Sequence, residues 1–125
     1  LLFQELNLFP ELTAFENVLL KNNLTNYKKR HEIEEMFDYL GIIDKKDKKI
    51  AKMSWGQQQR VAVIRCLCQP FDFILLDEPI SHLDDENASN VAGLIESEVS
   101  VRNAGLIVTS IGKNLPVSYT SIIAL

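Results

Sequence analysis

Residues 53–84 read MSWGQQQRVAVIRCLCQPFDFILLDEPISHLD, a run of loop, helix, turn, apolar strand and acidic pair. Its centre, Phe71-Asp72-Phe73-Ile74-Leu75-Leu76, is aromatic and aliphatic apart from one acid, the pattern of a parallel strand buried on both faces. The strand runs into Asp77-Glu78-Pro79. Open α/β sheets bind ligands beyond the carboxyl ends of their strands, which is where this acid pair falls. Pro79 has no N–H with which to continue a ladder. Upstream, Ser54-Trp55-Gly56-Gln57 opens a helix expected from Gln57 to about Cys68, apolar on most sides through Val61, Ala62, Ile64, Leu67 and Cys68. The free N–H groups and positive dipole end of a helix start make an anion site. An anion-binding helix start and a metal-type carboxylate pair, one short helix apart, point to nucleoside triphosphate chemistry.

Outward from this stretch the chain alternates helix and strand signals. Thr13 and Glu16 have capping-box spacing, and Phe15, Val18 and Leu19 follow at helical intervals. A second helix is expected from about Tyr27 to Leu40, burying Ile33, Met36, Phe37 and Leu40, with Gly41 as its stop. The basic run Lys45, Lys46, Lys48, Lys49 and Lys52, interleaved with Asp44 and Asp47, is expected to be a solvated loop. Downstream, Asp84-Asp85-Glu86 puts acids at the positive end of a helix whose inner face is Val91, Leu94, Ile95 and Val99. Asn103-Ala104-Gly105 turns the chain into a strand at Leu106-Ile107-Val108-Thr109, and Tyr119 to Leu125 reads as a final strand. The fold class is α/β, with strand, helix and strand forming a βαβ unit.

Composition narrows the function classes. At 125 residues the chain is one domain or less, and 46% hydrophobic residues suffice for a packed core. A net charge of −4 and a pI near 5.1 argue against a general nucleic-acid binder. No apolar run approaches the roughly 20 residues that span a bilayer. Cys66 and Cys68 lie two apart on one helix, face different sides, and read as small core residues.

The motifs, taken together, resemble the nucleotide-binding domain of ATP-binding cassette (ABC) transporters. Met53-Ser54-Trp55-Gly56-Gln57 is similar to the family's signature LSGGQ, and Gln58-Gln59-Arg60 continues it as the family does. Phe73 to Glu78 resembles the Walker B strand, Ser81-His82-Leu83-Asp84 the D-loop, and Phe3-Gln4 with Leu8-Phe9-Pro10 and Leu12-Thr13 the Q-loop region. The resemblance covers essentially the whole chain. It implies a P-loop NTPase-like fold: a Q-loop segment over about 1–12, a helical subdomain over 13–53, and a core of signature helix, Walker B strand and D-loop over 54–125 in a mainly parallel sheet.

The resemblance also implies roles. Asp77 would hold magnesium, with Gln4 as a second oxygen ligand that can also bind the attacking water. Glu78 would be the catalytic base. Ser54, Gly56, Gln57 and Asp84 would act on ATP held by a second nucleotide-binding domain. Expected cofactors are ATP and magnesium. Expected partners are that second domain and a transmembrane permease subunit, with no nucleic acid, and the expected place is the cytoplasmic face of a membrane. The permease would dock near Gln4, Phe9, Glu11, Leu12, Thr13 and Glu16.

Three departures qualify this. The P-loop pattern G-x-x-x-x-G-K-[ST] is absent from these residues, and the chain starts Leu1-Leu2, so it is expected to begin after that element, to lack the first strands of its sheet, and to bind ATP poorly alone. Trp55 stands where the family has the first signature glycine, where it would crowd the loop or stack across the interface. Ser110 stands at the position of the family's switch histidine, and a short neutral hydroxyl there predicts slow hydrolysis. Two readings follow: an ATP-hydrolysing transporter subunit, or a degenerate nucleotide-gated interaction module that closes on ATP with little or no turnover. A soluble cassette protein of repair or translation is disfavoured by the acidic pI and by the fifty or so residues between Gln4 and Ser54.

Overall fold

Thr13 starts the first helix, α1 (Ala14–Thr25), and does so through the box its spacing predicts. The Thr13 hydroxyl accepts the Glu16 N–H at 3.1 Å, and Glu16 Oε1 accepts the Thr13 N–H at 2.9 Å. The structure, a computed structural model, describes residues 7–77 and 83–109. Other first-turn donors of α1 are met by the lysine-rich segment: Ala14 N–H donates to Lys48 O and Phe15 N–H to Lys46 O. That segment is therefore not the solvated loop its charge suggests. It folds into two single 3₁₀ turns, Ile43–Lys45 and Ile50–Lys52, with an antiparallel bridge from Lys49 to Thr13 and Ile50 buried. Its backbone docks, while Lys49 and Lys52 stay exposed.

Helix α2 spans Arg30–Tyr39, three residues shorter at its start than its periodicity suggests. Lysine has no acceptor to cap with, so the start is set by Glu32, whose Oε1 accepts the Lys29 N–H at 2.8 Å. That bond holds the Glu32 carboxyl below its usual range. Its end is as expected. Gly41 has φ +73°, its N–H donates to Asp38 O, and Ile42 N–H donates to Phe37 O, the paired bonds of a Schellman stop.

Helix α3 (Trp55–Leu67) is the centre of the molecule. Helix α1 lies along it, and α2 and α4 (Asp85–Arg102) pack against it and against each other. Val61, Ala62, Ile64 and Leu67 of α3 are buried with Ile33 and Phe37 of α2, Leu40 just after it, Val18 of α1, and Val91 and Ile95 of α4. Each large apolar side chain buried this way contributes about 1.5–3 kcal/mol. Helices α2 and α4 close tightly at Gly93, where a Cβ would stand 2.6 Å from the Tyr39 hydroxyl.

Strands β1 (Phe73–Asp77) and β2 (Gly105–Thr109) pair in parallel, with α4 crossing between them. Register runs from Phe73 opposite Gly105 to Asp77 opposite Thr109. The expected strand at 119–125, and the strand tail at 1–3, lie outside the described residues.

Candidate functional site

The start of α3 is built by a second capping box. Ser54 Oγ accepts the Gln57 N–H at 3.2 Å, and Gln57 Oε1 accepts the Ser54 N–H at 3.1 Å. Ser54 is exposed, and its hydroxyl proton is not used in this box, so it stays free to be donated outward. The first N–H groups of any helix lack intrahelical acceptors, and Gly56 presents its own without a Cβ in the way. Trp55 is the first helical residue and is 41% exposed, enough ring surface for a second molecule to meet. Gln58 fixes the approach: its Nε2 donates to Ile50 O at 3.2 Å and Met53 O at 3.1 Å. The arrangement is a helix start whose cap is fixed by its own side chains, with first-turn N–H groups of the kind that suit an anion.

The start of α4 is a second prepared terminus. Asp84 caps it, with Oδ1 accepting the Asn87 N–H at 2.8 Å, and Asp85 and Glu86 follow in the first turn. Asp84 is exposed. Arg60 joins the two termini, with Nε donating to Gly56 O and Nη1 donating to both Leu40 O and Asn87 Oδ1. Among the expected site residues, the structure thus brings together Ser54, Gly56, Gln57 and Asp84.

The third part is the strand end. Asp77 is the last residue of β1, and its backbone is paired with Thr109, the last of β2. Both strands therefore finish at one edge. Gln4, Glu78 and Ser110 lie outside the described residues, as do Ser81 and His82. An acid at the carboxyl end of a parallel strand has the hard oxygen donors that magnesium prefers. Among the described residues no cluster of three or more His, Cys, Asp or Glu is placed to hold a metal by itself.

Asn17 carries no motif signal and is nevertheless central to the segment after the Q-loop. It is fully buried, accepts the Phe9 N–H at 2.7 Å, and donates to Phe9 O and Thr13 O at 3.1 and 2.9 Å. The one sequence clue was a polar residue between the apolar positions Phe15 and Val18. Asn17→Ala is expected to lower stability by about 2 kcal/mol, because a fully buried side chain that ties Phe9 and Thr13 to α1 is lost. Urea unfolding measures this; a loss below about 0.5 kcal/mol, the scale of neutral surface changes, would show that the 9–13 segment is held by something else.

Beside that segment lies a groove of about 280 Å³ lined by Asn7, Phe9, Leu20, Lys21, Leu24 and Arg65. Phe9, Leu20 and Leu24 are 49, 46 and 81% exposed. Of the expected docking residues that are described, only Phe9 lines it; Leu20, Leu24 and Arg65 were not anticipated. A larger hollow of about 400 Å³ between α2 and α4 shares no residue with either helix start, and its Lys28 and Glu98 already pair at 2.8 Å. Burial pushes the Cys68 thiol up to about 12, so it is a neutral core group; Cys66 is also buried.

Solved structures similar in fold to this chain include ABC cassettes. The dimeric structure of MJ0796, a bacterial ABC transporter cassette, matches with a TM-score of 0.73 and 30% identity over 86% of this chain and 50% of that one. RNase-L Inhibitor matches with a TM-score of 0.70 and 30% identity, over 85% of this chain and 20% of that one. The fold is that of an ABC ATPase cassette of the P-loop NTPase class. By sequence, the probable ABC transporter ATP-binding protein PEB1C of Campylobacter jejuni is 37% identical over 88% of this chain and 47% of its own length. The phosphonates import ATP-binding protein PhnC 1 of Nostoc sp. is 40% identical over 75% of this chain and 40% of its own. The family model for ABC transporters matches residues 1–81, and the chain belongs to that family. It spans about half the length of the curated relatives it matches. Among the described residues no helix is long and apolar enough to cross a membrane.

Proposed function

We propose that this chain is the signature-bearing part of an ATP-hydrolysing transporter subunit, which clasps ATP held by a second nucleotide-binding domain. The observation that carries this is the tied pair of helix starts: the Ser54–Gly56 seat and the Asp84 cap, joined through Arg60 and both exposed. An exposed, pre-formed anion seat suits a phosphate delivered by another subunit.

The division of labour follows from chemistry. Phosphoryl transfer to water is mainly positioning and charge neutralisation. Ser54 Oγ–H and the Gly56 N–H would bind the terminal phosphate oxygens and close the site to bulk water. Asp84 would lie against the partner's surface. Glu78 would take the proton of the attacking water. Magnesium, held by Asp77 with Gln4, would supply a positive charge to the phosphates when bound. Ser110, two positions beyond the β2 residue Val108, is neutral and short, so turnover would be slow; Ser110→His is expected to raise the hydrolysis rate of the whole protein, and no gain would count against a switch role.

Relatives named for import and for lipoprotein release support a transport setting. We place the chain on the cytoplasmic face of a membrane, with a permease helix in the Phe9–Leu24 groove, whose exposed apolar side chains suit an amphipathic partner. The test is association of the whole protein in ATP and magnesium, followed by sedimentation. Ser54→Ala is expected to weaken association about tenfold through one lost bond to a charged oxygen. Association that ignores Ser54 would remove the signature seat from the site.

A further inference from the structure

Arg60 lies on α3, yet its guanidinium touches three elements at once. Nε donates to Gly56 O at 3.3 Å, and Nη1 donates to Leu40 O at 3.1 Å and to Asn87 Oδ1 at 3.0 Å. Asn87 in turn donates its backbone N–H to Asp84 Oδ1 at 2.8 Å. The acceptors are the first turn of α3, the end of α2, and the first turn of α4. Burial lowers the Arg60 pKa, and the charge of Asp84 acts against that, yet an arginine stays charged at any pH the protein meets. A planar, multiply bonded cation is a stiff connector, and such hydrogen-bond chains carry coupling between sites.

We propose that Arg60 and Asn87 are a positioning pair that makes the start of α3 and the start of α4 respond as one piece, so that an anion seated at Ser54–Gly56 is registered at Asp84. The functional half rests on the ATP-clasping role above; the mechanical half does not. Neither residue is among those proposed to bind the phosphate. Asn87 sits on a different helix from the seat it holds, which separates positioning from binding.

The chain's single tryptophan, Trp55, adjoins Gly56 and reports on the seat. The experiment compares Trp55 emission and acrylamide quenching in the unaltered full chain, Asn87→Ala and Asn87→Asp, with helix content followed by circular dichroism. Losing one bond to the charged guanidinium is expected to shift the docked population of the α3 start on the order of tenfold. Asn87→Ala should therefore change the Trp55 signal at unaltered helix content. Asn87→Asp keeps an acceptor for Arg60 and should restore the signal. An unchanged Trp55 signal in Asn87→Ala, no rescue by Asn87→Asp, or a parallel loss of helix content would overturn the proposal. No nucleotide is used, so failure of the ATP role would leave this result standing. Repeating the association measurement with Asn87→Ala then tests the functional half: weaker association supports it, and association equal to the unaltered protein overturns it.

Discussion

Replacing Arg102 by alanine is expected to cost about 3 kcal/mol of folding stability, since removing one partner of a buried ion pair costs about 3–5 kcal/mol and Lys28 still meets Glu98 here. The Arg102 side chain is 5% exposed and pairs with Glu98 at 2.7 Å. It also donates to Leu67 O and Gln69 O, at 2.6 and 2.7 Å. Its guanidinium lies over Phe71 at 4.1 Å and over Tyr27 at 4.6 Å. One residue at the end of α4 therefore caps the carbonyl end of α3 and covers the entry to β1. Thr25 Oγ1 adds a bond to Cys68 O at 2.9 Å. Small domains have only about 5–15 kcal/mol in total, so this is a large fraction. Urea unfolding of Arg102→Ala beside exposed Val101→Ala checks it. The Val101 change should fall within about 0.5 kcal/mol. Equal midpoints for the two variants would show that the α3 end does not depend on Arg102.

Glu78→Gln in the whole protein is expected to cut kcat by about 100-fold or more, the usual contribution of a general base. Glutamine keeps the shape of the side chain and loses the ability to accept a proton. Nucleotide binding should survive, so the fall should appear in kcat with KM little changed. A decrease of less than about tenfold would remove Glu78 from the base role.

What could be read from the sequence was whatever is encoded locally. Thr13 with Glu16, Asp84 before its helix, and Gly41 after its helix act over three or four residues, and each sits where it was expected. The parallel pairing of β1 and β2 followed from two apolar runs separated by one helix. Boundaries slipped where the capping residue has no side-chain acceptor of its own, as at Lys29. The helix start at Ser54, Gly56 and Gln57 was legible because these residues are near neighbours in the chain. Arg60 and Arg102 were not, because their partners on other elements lie 20 to 35 residues away and no periodicity marks them. The lysine run misled for a related reason: its charge describes the side chains, whereas its backbone carbonyls do the docking.

The most direct measurement mixes two inactive variants of the whole protein, Ser54→Arg and Glu78→Gln, and follows ATP hydrolysis. Each variant alone spoils both sites of a symmetric pair. If Ser54 of one copy serves the Asp77–Glu78 strand end of the other, a mixed pair contains one intact site, and the mixture should regain about a quarter of the unaltered rate. A mixture as inactive as its components would contradict a site shared between two copies.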